Sequence, residues 1–475
     1  MPYRALVLVA AALSGCAHAP LVCPHQGGPG WHELTSAHFQ LRSDLPRDEA
    51  RTALIEFERS HQALEELALR TPRPGRRIEL VLFRREEDFR EFAPEGAMGW
   101  FRPRQNNDVE YTPTIALHGR MRDHARRRLQ HELVHRLLAY RIHRAPPWVE
   151  EGLAEYYSTL QLDGGEAILG QLPMKKLFTT EVHSPGTLHE RWVEARVQLA
   201  EIPRLEDLVS ADEGRFHDLP RESAYYAAAW VLVHLFHHGA ADLGPRFRAY
   251  LDDLAAGLPH AAAWRRAFDE QATADLAARY QRYLLRLEMD VARLRYRAVE
   301  PAPPSAPRLL DDDEVHLLWA RIRPWDSREN IVQAGADLKL VLARRPGAAD
   351  THYWWSLYEQ LWRRYPEAER HLRVALERAP GSSRYLHALA ALLYDRERAR
   401  PAAERDLSRL SDLVSSLERL EPSPYALAFL ARYYHDAGQP DRGLPFARRA
   451  VEAAPDCWEC VETYGLLSRP PAAGP

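Results

Sequence analysis

Residues 131–135 read His-Glu-Leu-Val-His, so two histidines stand four positions apart with a glutamate directly after the first. Residues four apart lie on the same face of an α-helix, where two imidazoles can reach one metal ion about 2.0–2.1 Å from each nitrogen. Glu132 is then turned toward a water on that metal. The pattern predicts a zinc site that contains His131 and His135, with Glu132 as general base.

The stretch APPWVEEGLAEYYS, residues 145–158, offers the third protein ligand that this site needs. Catalytic zinc sites commonly use two histidines and a glutamate and leave the fourth position to water. Two prolines break the chain, so a second helix can begin near Trp148 and run antiparallel beside the first. We expect this helix to bring Glu151 opposite the histidine pair.

An HExxH followed by Pro-x-x-Glu-Glu-Gly-Leu-Ala-Glu-Tyr resembles the gluzincin metallopeptidases, in particular the bacterial peptidase MA-like domains, and more distantly the aminopeptidase N family. In these families the glutamate before the glycine is the third zinc ligand, which implies Glu151 and not Glu150. The resemblance also implies that Glu155, one turn later, accepts a hydrogen bond from a ligand histidine. The alternative for Glu155 is a solvated carboxylate.

The aminopeptidase branch fits less well than the endopeptidase reading. Fifteen residues separate His135 from Glu151, a gap slightly shorter than in the aminopeptidases. The chain also lacks the Gly-x-Met-Glu-Asn stretch with which that family holds a substrate amine. We therefore expect an endopeptidase that hydrolyses peptide bonds.

A later stretch, SAYYAAAWVLVHLFHHG, resembles the helix that follows the active site in peptidase MA-like domains. The resemblance implies that Tyr226 donates a hydrogen bond to the oxyanion of the transition state. Tyr225 competes for that role, and the alternative for both is a core aromatic. His234, His237 and His238 are interpreted as packing or surface residues, because the zinc shell is already complete.

The order of strand and helix patterns predicts an α+β fold class. Residues 31–44 alternate as a strand does, 47–70 have helical spacing, and 78–83 and 110–119 are further strands. Almost everything from there to residue 296 is predicted to be helical, apart from an irregular stretch at 179–190. The resemblance further implies a gluzincin-like domain with a small mixed sheet, in which residues 114–119 form the edge strand that aligns a substrate peptide.

The N-terminus predicts export. Residues 1–15 have one early cation and a short apolar run, as secretory signals do. Leu13 to Cys16 resemble the lipobox of bacterial lipoproteins, which implies that Cys16 is lipidated; the alternative is a plain signal peptide cut after Ala17-His18-Ala19. An alanine after the cysteine resembles lipoproteins of the outer membrane. We expect an envelope protein whose lipid anchor holds it to the outer membrane, facing the periplasm.

Chain length and composition predict the number of domains and where each begins and ends. A chain of 475 residues favours two or three domains, and a net charge of -4 argues against a nucleic-acid binder. The predicted order is a tether over 16–30, a zinc domain over 31–297, a Pro-rich linker over 298–310 and helical repeats over 311–470.

The pair Cys457 and Cys460 can close a small disulfide in an oxidising compartment.

Beyond the linker the sequence repeats itself. Small residues stand 12 positions before three prolines, and apolar residues stand five before them. The sets are Ala334, Val341 and Pro346; Ala368, Ala375 and Pro380; and Gly443, Ala450 and Pro455. This pattern resembles the tetratricopeptide repeat, with a less regular unit and an insertion in 381–421. The alternative is a generic helical bundle.

Two functions from different classes remain open. The first is zinc-dependent hydrolysis of a peptide or protein substrate, with the repeats docking the substrate or an envelope partner. The second is a non-catalytic lipoprotein scaffold that binds partners through its repeats. Glu132 favours the enzyme, because a structural zinc site needs no base and is normally closed by four protein ligands.

Overall fold

The structure of the protein is a computed structural model, which describes residues 21–68, 77–93, 99–102, 106, 108–110, 112–119, 123–142, 145–163, 165–171, 202–218, 222–285, 289–455 and 457–468. The predicted signal peptide, Cys16 and the stretch 179–190 lie outside these residues. Within them, no helix is long and apolar enough to cross a membrane.

The described strands form two sheets. The strands are β1 His32–Thr35, β2 Phe39–Ser43, β3 Ile78–Phe83, β4 Gly99–Arg102, β5 Thr114–His118, β6 Gln161–Asp163, β7 Glu166–Leu169, β8 Ala292–Arg295 and β9 Arg308–Leu309. The first sheet has the order β4-β5-β3-β2-β1-β9, and the second has the order β6-β7-β8. In the first sheet β2, β3 and β5 are parallel to one another, and the other pairs are antiparallel.

The edge of the first sheet differs from the prediction. Strand β5 lies between β3 and β4, so residues 114–119 are not the edge strand. The outer strand is β4, in which Gly99 pairs with Leu117 and Arg102 pairs with Thr114. The prediction was wrong because the short run Gly-Trp-Phe-Arg has too few residues to reveal an alternating pattern.

Ten helices of the described chain surround these sheets before residue 290. They are α1 Arg47–Leu67, α2 Glu86–Arg90, α3 Asp123–Arg141, α4 Pro147–Tyr157, α5 Leu205–Val209, α6 Glu213–Phe216, α7 Glu222–His238, α8 Leu243–Ala255, α9 His260–Ala267 and α10 Glu270–Leu284. Helix α1 buries Ala50, Leu54, Phe57 and Leu64, whose spacing of four, three and seven places them on the face that covers the sheet. The predicted α+β class is confirmed.

The second sheet occupies positions that were predicted to be helical. Asp163 pairs with Glu166 at one end of the antiparallel pair β6–β7. Gly165, directly before Glu166, has φ +89°, a value that glycine adopts without steric cost. Strand β8 adds to β7 from far along the chain, and its sequence Ala-Arg-Leu-Arg is too short to predict.

Nine helices follow residue 310 in the described part of the chain. They are α11 Asp312–Ile322, α12 Arg328–Arg344, α13 Ala349–Leu361, α14 Tyr365–Arg378, α15 Ser383–Arg398, α16 Ser411–Arg419, α17 Pro424–Asp436, α18 Pro440–Ala453 and α19 Trp458–Leu467. The small residues Ala334, Ala368 and Gly443 are buried where neighbouring helices pack closely. Two short 3-10 turns separate α15 from α16, within the stretch 381–421. The predicted disulfide between Cys457 and Cys460 is present.

The Pro-rich stretch connects the two parts along the sheet edge. The backbone amide of Ser305 donates to the carbonyl of Thr35, and the Thr35 amide donates to the Ser305 hydroxyl. Strand β9 then pairs with β1, and Trp319 of α11 packs edge-on against Trp31 with ring centroids 6.4 Å apart. A shared apolar core therefore joins the first sheet to the first helix of the second part.

Candidate metal centre

Helix α3 carries the HExxH sequence on its interior side. Leu129, Leu133 and Leu137 are fully buried at a spacing of four residues, so the helix is fixed against the core by this stripe. His131 is buried as well, and the side chain of His135 is 14% exposed. The predicted helix is thus confirmed, with both imidazoles on one face.

Helix α4 is positioned by its prolines and by one glycine. Pro147 occupies the first helical position, where its missing amide proton and fixed φ cost nothing. A Cβ on Gly152 would lie 2.9 Å from both the Ala229 carbonyl oxygen and the Val233 side chain of α7. The absence of a side chain here lets α4 approach α7 closely, directly beside Glu151.

Three side chains converge between α3 and α4. The Nε2 atoms of His131 and His135 lie 2.9 Å apart. The Oε2 atom of Glu151 lies 3.4 Å from the first of these nitrogens and 3.7 Å from the second. The structure therefore brings the three predicted ligands together in one group that could hold a metal ion.

A carboxylate stands behind each imidazole. Glu155 Oε1 lies 3.1 Å from Nδ1 of His131, and the Glu155 side chain is almost fully buried. Glu150 Oε1 lies 3.4 Å from Nδ1 of His135, and its side chain is partly exposed. The sequence predicted the first neighbour but assigned no role to Glu150, although its place next to Glu151 was a usable signal.

Electrostatics hold opposite charges together at this centre. Burial by itself lowers the pKa of His135, but the Glu151 carboxylate and then Glu150 outweigh it and raise the pKa to about 10. Burial by itself raises the pKa of Glu151, but the imidazole charges of His135 and His131 outweigh it and lower the pKa to about 2. The centre thus pairs an anionic Glu151 carboxylate with a positively charged His135 imidazole.

Glu132 is buried and has a cationic neighbour. Its Oε1 atom lies 3.6 Å from Nη1 of Arg128, one helical turn earlier. The stem of Arg128 packs on β4, where a Cβ on Gly99 would lie 2.5 Å from the Arg128 Cγ atom. The spacing of four between Arg128 and Glu132 is the sequence signal for this contact.

The tyrosines lie on the first turn of α7. The Tyr226 ring is half-buried, with its centroid 5.5 Å from that of Phe216 and 6.0 Å from that of His217. Tyr225 is buried against Phe216. The role of Tyr226 toward a substrate stays a prediction, and Tyr225 remains its competitor.

His234 of α7 has a packing role. Its ring is fully buried, with Nδ1 2.8 Å from the Tyr283 hydroxyl and Nε2 2.9 Å from the Asp290 carbonyl oxygen. Because a carbonyl only accepts, Nε2 carries the proton and Nδ1 accepts from the tyrosine. These contacts agree with the interpretation of this histidine as a packing residue.

The donor set of the centre fits a metal ion. Glu151 Oε2 is buried, has no hydrogen-bond partner and faces two imidazole nitrogens. Two further groups among the described residues have donor atoms close enough to share an ion, namely Cys23, His25 and His316, and His38, His61 and Glu65. No protein-family model matches this chain, and no characterised protein matches its sequence.

Proposed function

We propose that the chain is a zinc-dependent peptidase of the bacterial cell envelope, acting as an endopeptidase. The observation that carries the proposal is the convergence of two imidazole nitrogens and the Glu151 oxygen within 3.7 Å of one another. Two histidines and a glutamate are a donor set of catalytic zinc sites, which keep one position open. A structural site would normally be closed by a fourth protein ligand.

The side chains around the centre have distinct roles in this proposal. Zinc held by His131, His135 and Glu151 would lower the pKa of a coordinated water toward about 7 and polarise the scissile carbonyl. Glu132 removes a proton from the attacking water and delivers it to the leaving amine. Tyr226 is proposed to donate to the oxyanion.

The carboxylates behind the imidazoles support the proposal. A carboxylate at Nδ1 keeps the ring proton on that nitrogen, so Nε2 keeps its lone pair for a metal. Glu155 is placed to do this for His131, and Glu150 is placed to do it for His135. Such neighbours also fix the orientation of each imidazole ring, which a catalytic site with one metal position open to water requires.

Strand β4 is the proposed support for the substrate. It is the outer strand of the first sheet in the described part of the chain, and Gly99 packs against Arg128 one turn before Glu132. An extended peptide can pair with such an edge through its backbone while side-chain pockets choose the residues. The role first predicted for residues 114–119 is therefore proposed for β4.

The helical repeats are proposed to dock the substrate or an envelope partner. A groove of about 380 Å³ is lined by residues of α13, α15, α17 and α19, with Val109 at one side. Every second helix thus faces the same groove, as in tetratricopeptide-type solenoids, to which we assign these repeats. Its lining includes Arg432 and Asp395 together with Tyr394 and Phe429, which suits a partner segment with mixed polar and apolar side chains.

Export and lipid anchoring through Cys16 complete the proposal. The disulfide between Cys457 and Cys460 supports an oxidising compartment, since such bonds seldom persist in the cytosol. The lipobox-like stretch supports attachment to the outer membrane. Together they favour a periplasm-facing peptidase.

The test compares wild type with Glu132→Gln, in the full-length chain with Cys16→Ser to prevent lipid attachment. Zinc bound at the His131 centre is measured in both proteins, together with their cleavage of denatured casein and of a mixed peptide library. We expect equal zinc and a loss of cleavage of roughly 10²–10⁴-fold in the variant. Zinc in both proteins with cleavage by neither would favour the scaffold, and no zinc at this centre would reject the proposal.

A further inference from the structure

A second group of side chains that could hold a metal ion is separate from the HExxH centre. Donor atoms of Cys23, His25 and His316 lie within 4.8 Å of one another. Tetrahedral zinc ligands with bonds of 2.0–2.3 Å are separated by about 3.3–3.8 Å. The separations of the three donor atoms are therefore close to those of ligands that share one ion.

His316 provides an independent sign of a missing ligand. Its Nδ1 atom lies 2.7 Å from Asp337 Oδ1, so the carboxylate binds the ring on one side. Its Nε2 atom is buried and has no hydrogen-bond partner, and the residue is only 6% exposed. A histidine whose outer nitrogen binds a carboxylate while the other nitrogen is buried and unsatisfied has the arrangement of a metal ligand.

Asp312 lies next to two members of the cluster, Cys23 and His25. Its Oδ1 atom lies 3.6 Å from Cys23 Sγ, and its Oδ2 atom lies 3.2 Å from His25 Nδ1. The Arg344 guanidinium lies 3.9 Å from Asp312 Oδ2 and 3.3 Å from His25 Nε2. Asp312 and His316 are four apart on α11, so one helical face presents both to the N-terminal segment.

The N-terminal segment packs against helix α11 at this cluster. Residues 21–30 belong to the predicted tether, yet Cys23 is fully buried, and the His25 amide donates to Asp312 Oδ1 at 3.2 Å. The partners are separated by more than 280 positions in sequence. An ion bound here would link the start of the exported chain to the first repeat helix.

We propose that Cys23, His25, Asp312 and His316 form a structural zinc site. A thiolate and two imidazoles favour zinc over the hard cations magnesium and calcium. Four protein ligands with a buried thiolate leave no open position, which is typical of a structural site. The site fastens the N-terminal segment to α11, and it does not depend on the proposed peptidase activity.

Cobalt(II) is the probe, because a thiolate ligand gives a charge-transfer absorption that histidine and carboxylate ligands do not. The full-length chain with Cys16→Ser is loaded with Co²⁺, alone and with His131→Ala and His135→Ala together. We expect two Co²⁺ per chain in the first protein and one in the second, with the thiolate absorption in both. Cys23→Ser should remove the absorption and one Co²⁺.

His316→Gln should also remove the absorption, while the matched control His435→Gln, at a partly exposed position, should keep it.

A second readout keeps the test valid if Cys23→Ser does not fold. With Cys16 replaced and Cys457 and Cys460 joined, Cys23 is the only free thiol. Zinc should slow its alkylation at least tenfold relative to chelator-treated protein. No thiolate absorption in wild type, or alkylation that chelator does not change, would overturn the proposal.

Discussion

Glu155 Oε1 lies 3.1 Å from Nδ1 of His131, on the side of the ring away from the Nε2 atom that faces His135 and Glu151. Both residues are buried, so water competes little for this contact. Glu155 is thus a positioning residue, which acts on the metal only through the histidine.

Replacing Glu155 with glutamine should weaken zinc binding at the His131 centre by about 10–100-fold, because the ring loses its anionic anchor. The affinity is measured by competition with a chelator of known strength. Glu150→Gln is the matched control, since its carboxylate is more exposed and should contribute less. An unchanged affinity in Glu155→Gln would show that Glu155 does not position the ligand.

Much of this centre could be predicted from the sequence because helical spacing alone determines it. His131 and His135 are four apart, as are Glu151 and Glu155, and two prolines mark where the second helix begins. The local pattern therefore predicts which side chains share a face. Only the approach of the two helices needs tertiary structure.

Contacts between distant segments could not be predicted in this way. Strand β8 pairs with β7 across more than 120 residues, and neither strand has a sequence pattern that predicts this pairing. Cys23 was assigned to a tether because residues 17–30 are rich in proline and glycine and show no periodicity. Its burial depends on α11, almost 290 residues later.

Gly152→Ala should lower the free energy of unfolding by about 1–3 kcal/mol, because its Cβ would meet the Ala229 carbonyl oxygen at 2.9 Å and force α4 away from α7. The same shift should move Glu151 and weaken zinc binding. Chemical denaturation and metal competition measure the two effects. The control is Gly465→Ala, where no atom would lie within 4 Å of the new Cβ. Equal stabilities of the two variants would contradict the close-packing argument.

Asp108 and Arg384 form a buried ion pair between the first part of the chain and the repeat helices. Arg384 Nη2 lies 2.9 Å from Asp108 Oδ2, and the Tyr353 hydroxyl donates to Asp108 Oδ1 at 2.5 Å. The Asp108 side chain is completely buried. This network fixes Asp108, which lies between β4 and β5 in the sequence, to α13 and α15.

Arg384→Met should lower the free energy of unfolding by about 3–5 kcal/mol, because it leaves a buried carboxylate without its cation. Urea denaturation measures the change. Arg396→Met is the control, since Arg396 pairs with Glu369 at a 45% exposed position and should contribute less than about 1 kcal/mol. The double variant Asp108→Asn with Arg384→Met should recover part of the loss. A small effect of Arg384→Met would mean that the pair does not stabilise the contact between the two parts.

His234 makes stability depend on pH. Burial, and then the charge of His238 stacked 4.0 Å from it, lower the pKa of His234 from its ordinary 6.5 to about 4. Between pH 6.5 and 4 the unfolded chain therefore binds a proton that the folded chain does not. The free energy of unfolding should fall as the pH falls through this window, by about 3 kcal/mol at most from this residue.

His234→Gln keeps a side-chain donor but cannot be protonated, so its stability should fall less between pH 6.5 and 4 than that of wild type. Chemical denaturation at four or five pH values in this window gives both curves. His237 also has a pKa lowered to about 4, by burial and by His238, and it titrates in both proteins. The difference between the curves therefore reports His234 alone. Parallel curves would show that His234 accepts a proton in the folded chain, and that its contacts with the Tyr283 hydroxyl and the Asp290 carbonyl do not require the neutral ring.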